Sequence, residues 1–191
     1  NAAEEGLAWA VIITQSDSNT MVTRTNIFPE VFRKALAHIN PGLLPADIDR
    51  TLEDITLILQ NEDLGQAFYD KLTNRSGLKL VDFENFENNH FHVVTELPFK
   101  NGEDEFRPDI SVLINGMPLG LIEVKKPMNA GGVLAERSRM NKRHANRKFR
   151  PFFNLTQLMV FSNNMEYDEF KAFDVRLVLS GGLGHHFVKN D

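Results

Sequence analysis

Cysteine is missing from all 191 residues. The chain therefore forms no disulfide and offers no thiolate to a metal, so any bound ion must be held by oxygen or imidazole. This absence fits a reducing, cytoplasmic setting. Long apolar runs are missing as well: nothing approaches the ~20 residues of a bilayer-spanning helix, and no membrane partner is expected. Residues 6–13 (GLAWAVII) are apolar but follow Glu4 and Glu5 without a basic start or a small-residue cleavage site, so no signal peptide is expected there. Repeats and low-complexity tracts are absent. Of the six histidines, His90, His92, His144, His185 and His186 show no zinc-ligand spacing. A net charge of -5 argues against indiscriminate polyanion binding and leaves the distribution of charge to decide.

What is present is an ordinary globular composition, 42% apolar and 25% charged, at a length that suits one domain. The expected organisation is a single domain over 1–191, with a helical part at about 26–75 and a sheet with a basic helix at about 78–168. Val31, Ala35, Leu36 and Ile39 recur at helical spacing and stop at Pro41-Gly42. After Pro45 the period resumes through Ile48, Leu52, Ile55 and Leu59, and a short third helix ends near Asn74 to Gly77. Leu78, Leu80 and Phe83 are expected to begin an extended segment. From Phe91 the period falls to two. Residues 100–105 are expected as a polar loop, followed by a hairpin with Asn115-Gly116 at its tip, a basic helix at about 133–147, and strands at 156–164 and 174–182. Helices followed by an antiparallel set and a helix-fed strand define a mixed α/β fold.

The hairpin "RPDISVLINGMPLGLIEVKKP" carries charge where aliphatic strands should be buried, which is costly without compensation. A two-residue turn would set Asp109 opposite Ile122 and put Glu123 and Lys125 on one face with Ile110, Val112, Leu119 and Leu121. A three-residue turn sorts the faces: Ile110, Val112, Ile114, Pro118, Gly120, Ile122 and Val124 share one, and Asp109, Glu123 and Lys125 the other, with Asp109 opposite Glu123. Two carboxylates that close repel unless a cation lies between them. Asp109 and Glu123 are thus candidate Mg²⁺ ligands, and Lys125 a candidate for stabilising phosphate charge in the transition state. The competing reading is an ion pair on a solvated sheet face.

Seven basic residues, Arg137, Arg139, Lys142, Arg143, Arg147, Lys148 and Arg150, follow without an intervening acid. They suit a surface that tracks DNA phosphates, a solvated helix face or a subunit interface. Gln157 is expected to make a strand-end hydrogen bond, with reach into the site as the alternative. Glu4, Glu5 and Glu30 are candidates for a further carboxylate. Met159, Val160 and Phe161 are expected in the core.

Pro108-Asp109, Glu123 and Lys125 together resemble the PD-(D/E)xK nuclease motif. With "INPGL", "HFHVVTELPF" and "GGVLAERSRMNKRHANRKFRPFFNLTQLMVFSNNMEYD", residues 26–168 resemble the amino-terminal nuclease domain of the R subunit of type I restriction-modification enzymes. The resemblance implies a restriction-endonuclease-like core with a mixed central sheet flanked by helices, and Mg²⁺-dependent cleavage of double-stranded DNA. It also implies modification and specificity subunits as partners and an ATP-driven motor carboxy-terminal to the domain. No G-x-x-x-x-G-K-[ST] loop occurs here, so ATP belongs to that motor, and the expectation is a piece of a longer subunit. A non-cutting docking module with the same fold is the alternative. Where relatives carry a Gln-x-x-x-Tyr pair after the catalytic lysine, the nearest places here hold Met140 and His144, which leaves Arg137, Arg139 or Arg143 to meet the DNA.

Overall fold

Two short polar punctuations shape the amino-terminal half of the computed structural model, which describes residues 10–13, 25–124, 132–162 and 176–179. Helix α1 (Pro29–Ile39) begins with proline at its first positions and ends at Asn40, ahead of Pro41-Gly42. Helix α2 (Pro45–Ile58) likewise starts on proline, whose fixed φ and missing N–H suit a first turn. A third helix, α3 (Gln66–Thr73), completes the group. Phe32, Leu36, Ile48, Ile55, Leu59, Phe68 and Leu72 close one hydrophobic cluster with Met117 and Leu119 of the sheet.

The sheet has six strands in the order β1 (Ala10–Ile13), β2 (Phe91–Thr95), β5 (Ile110–Ile114), β6 (Met117–Val124), β7 (Leu158–Ser162) and β8 (Arg176–Leu179). It is mixed: β1 runs parallel to β2 and β6 parallel to β7, and the other neighbours are antiparallel. The parallel β6–β7 pair needs a crossover, which is supplied by α4 (Gly132–Ala145) and α5 (Arg150–Leu155). The apolar strands β5 and β6 are interior in the sheet, as their composition requires.

The helices pack over the face that carries Val94, Leu113, Leu121, Met159 and Phe161, all buried. Met140 of α4 and Phe152 and Phe153 of α5 meet Leu121, Met159 and Phe161 there. The aliphatic face of Ile110, Val112, Ile122 and Val160 is half-buried. Burial therefore favours the face that also holds Glu123.

Two expected segments are different. Leu78 to Phe83 form no strand, because their backbone groups bond to side chains instead: Lys79 N–H to Asn40, Asp82 N–H to Asn89, and the Leu80 carbonyl to Asn115. Residues 100–105 are not a bare loop but part of a small hairpin, β3 (Phe99–Asn101) with β4 (Asp104–Phe106). Phe99 and Phe106 pair across it and join Phe149 and Phe152 in an aromatic cluster, so ring packing orders a segment whose tip is polar.

Candidate active site

The turn between β5 and β6 has two residues, not three. Ile114 pairs with Met117, and Asn115 and Gly116 both have positive φ, at 52° and 79°, the signature of a type I′ hairpin. The register then shifts: Leu113 pairs with Pro118 but Val112 with Gly120, which leaves Leu119 as the extra residue of a β-bulge. Beyond it Ser111 pairs with Leu121 and Ile110 with Ile122. One step further in that register lies Asp109 beside Glu123. The expected neighbours are thus reached through a bulge and not through the three-residue turn that charge sorting favoured, because a bulge shifts the register as an added turn residue would.

Asp109 is held from both sides. Its carbonyl accepts from the Glu96 N–H of the β2 end at 3.1 Å, and its Oδ2 accepts from the Val124 N–H of β6 at 2.7 Å. Glu123 shares the packed face with Leu121, lies beside Phe161 of β7, and is 3% exposed. A carboxylate so placed needs compensating charge. Part comes from Arg143 of α4, whose Nη1 lies 4.0 Å from Glu123 Oε1.

Arg143 also faces Glu136, 3.7 Å from its Oε1, and Arg139 pairs with the other oxygen of Glu136 at 2.7 Å. The Arg143 guanidinium carbon sits 5.0 Å from the Phe106 ring centroid, a cation–π arrangement. Glu136, 1% exposed, was not among the expected site residues. Its signal was available: Glu136, Arg139, Met140 and Arg143 follow the i, i+3, i+4, i+7 spacing of one helix face. Of the positions nearest the missing Gln-x-x-x-Tyr pair, Met140 is in the core with Leu121, and the His144 ring packs on Phe153. Arg143 of this helix reaches Glu123.

The remaining expected residues divide. Lys125 and the acids Glu4 and Glu5 lie outside the described residues, as does the side chain of Arg137. Glu30 is exposed on α1 and paired with Arg33. Lys142 is exposed. Arg147 and Arg150 both reach Glu62, and Lys148 reaches Asp104 at 3.0 Å. The basic run is thus largely paired within the molecule, because acids distant in sequence fold back against it. Gln157 donates to the Asn154 and Leu155 carbonyls, as a strand-end residue does. A 210 Å³ cleft lined by Glu62, His144, Arg147, Arg150 and Phe153 opens beside these pairs.

Mixed sheet, crossover helices and a carboxylate pair at the end of the central hairpin define a nuclease-like α/β core. Residues 6–174 match the family described as the type I restriction enzyme R protein N terminus, and the chain belongs to that family. It is 33% identical over 124 residues to the putative type I restriction enzyme MjaIXP endonuclease subunit of Methanocaldococcus jannaschii, covering 54% of this chain and 12% of that protein. Against the type I restriction enzyme HindI endonuclease subunit of Haemophilus influenzae it is 29% identical over 130 residues, 58% of this chain and 12% of that protein. The chain thus spans about an eighth of the length of these relatives. Among the described residues no helix is long and apolar enough to cross a membrane.

Proposed function

We propose that this chain is the endonuclease domain of a type I restriction R subunit and hydrolyses DNA phosphodiester bonds with Mg²⁺ held by Asp109 and Glu123. The observation that carries the reading is the post-bulge register, which brings these two carboxylates side by side at the end of the interior strands. Among the described residues no group of three His, Cys, Asp or Glu could hold a metal. A pair of carboxylates suits Mg²⁺, which keeps several waters and accepts phosphate oxygens as ligands. When bound, the ion supplies Lewis-acid stabilisation of phosphate charge.

The protein's own part is position and charge, which is most of what phosphoryl transfer demands. Asp109 is aimed by its bond to Val124 and Glu123 by its packing against Phe161. Lys125, two residues past Glu123 in the sequence, is the cation assigned to the developing charge on phosphate. Lys142, with Arg139, Arg143, Arg147 and Lys148 around it, is assigned to the approach of the DNA backbone. The substrate in this reading is unmodified foreign DNA, delivered by an ATP-driven motor elsewhere in the subunit, in complex with modification and specificity subunits. The family and the endonuclease subunits it resembles support that setting.

The test is nicking of supercoiled plasmid by the chain in Mg²⁺ or Mn²⁺, beside calorimetric metal titration, for wild type, Asp109→Asn and Glu123→Gln. The wild type is expected to bind and nick, and either variant to lose nicking by at least ~100-fold. A wild type that neither binds metal nor nicks with duplex DNA present defeats the reading in favour of a docking module.

A further inference from the structure

We propose that Arg143, tethered by Glu136, is a positioning residue for the Glu123 carboxylate. The inference rests on the metal-site reading above and adds two residues to it.

The geometry is unusual for an ion pair. Nη1 of Arg143 is buried and stands 3.7 Å from Glu136 Oε1 and 4.0 Å from Glu123 Oε1. Both separations exceed hydrogen-bond length, so charge suspends this nitrogen between a carboxylate of the helix and one of the strand. The guanidinium also rests over Phe106, and Phe106 is fixed by stacking on Phe153 and edge contacts with Phe149 and Phe152. Glu136 is in turn held by Arg139 at 2.7 Å. Met140, one turn from Glu136 on the same helix face, locks that face to Leu121.

This chain of contacts has a consequence for Glu123. An arginine tied to Glu123 alone would close into a short bidentate pair, the preferred geometry of guanidinium with carboxylate, and would occupy the oxygens a metal needs. The pull of Glu136 prevents that closure. Arg143 then steadies Glu123 from a distance without itself closing onto the carboxylate oxygens. Residues that orient a metal ligand in this way typically change metal affinity 10- to 100-fold when replaced.

The test is calorimetric titration of Mn²⁺ into the chain for wild type, Glu136→Gln, Arg143→Gln, Arg143→Lys and the Glu136→Gln/Arg143→Gln double variant, with thermal unfolding of each. Glu136→Gln and Arg143→Gln are each expected to weaken Mn²⁺ by ~10-fold or more. The double variant is expected to lose no more than the weaker single one, since Glu136 acts through Arg143. Arg143→Lys, which keeps the charge but not the planar fork, should recover part of the loss and keeps the proposal testable if Arg143→Gln fails to fold. Wild-type affinity in a folded Glu136→Gln, or tighter binding in Arg143→Gln, overturns the tether while leaving the nuclease reading intact. A wild type that binds no Mn²⁺ even with duplex DNA overturns both.

Discussion

Asp109 hangs from the strand that carries its partner carboxylate: its Oδ2 accepts a 2.7 Å hydrogen bond from the Val124 N–H, one residue past Glu123. The first prediction separates the two roles of this side chain. Asp109→Asn keeps an acceptor for Val124 and should melt close to wild type while losing metal binding. Asp109→Ala removes the acceptor as well and should cost about 1–2 kcal/mol in addition. Equal melting of the two variants would show that the Val124 bond does not contribute.

The hairpin tip is a structural centre in its own right. Asn115 is fully buried; its amide donates to the Leu80 carbonyl and to Asn89 Oδ1, and its Oδ1 accepts from the His90 N–H. Asn115→Ala strips three hydrogen bonds from buried groups at a positive φ and is expected to cost at least about 2–3 kcal/mol. Gly116 is constrained differently. Its φ is +79°, and a Cβ would sit 2.8 Å from the Phe28 carbonyl oxygen and 2.9 Å from the Phe32 nitrogen. Gly116→Ala should therefore push α1 off the turn, and denaturant titration of both variants checks the pair.

Stability should fall in mild acid through His92. Burial is the main cause that holds its imidazole below the ordinary 6.5, with nearby His90 adding to it. In the unfolded chain His92 takes up its proton near pH 6.5, whereas the folded form resists until lower pH. Its contribution is thus complete above about pH 6.5 and is lost as pH falls from there through the folded value. Urea unfolding between pH 8 and 5 should show this decline, and His92→Gln should flatten it by less than one proton. An unchanged slope would assign the decline elsewhere.

Glu62 Oε1 lies 2.7 Å from Arg150 and 3.5 Å from Arg147 on an exposed surface. Such pairs add little to stability, so Glu62→Gln should melt within about 0.5 kcal/mol of wild type. If these arginines meet DNA, the variant should bind duplex more tightly and steepen the logarithmic salt dependence by about one unit. Affinity measured from 50 to 200 mM salt decides this, and an unaltered slope removes Arg147 and Arg150 from the interface.

Residue order alone determined the features that depend on local chemistry. The break between α1 and α2 follows from Pro41, Gly42 and Pro45, and the hairpin tip from Asn115-Gly116, because φ preferences act within a few residues. The Asp109 and Glu123 partnership was legible because a half-buried hairpin tolerates one sorting of charged and aliphatic faces. Tertiary structure decided the rest. The Leu119 bulge reconciles a two-residue turn with that sorting, and nothing local demands it. The 78–83 segment gives up strand pairing for side-chain partners such as Asn40 and Asn115, far away in sequence. The basic run in and just beyond α4 looked open from sequence, yet its charges meet Glu62, Asp104, Glu136 and Glu123. Ion pairing depends on distance in space, and only the packing of α4 and α5 on the sheet sets which acids stand opposite which arginines.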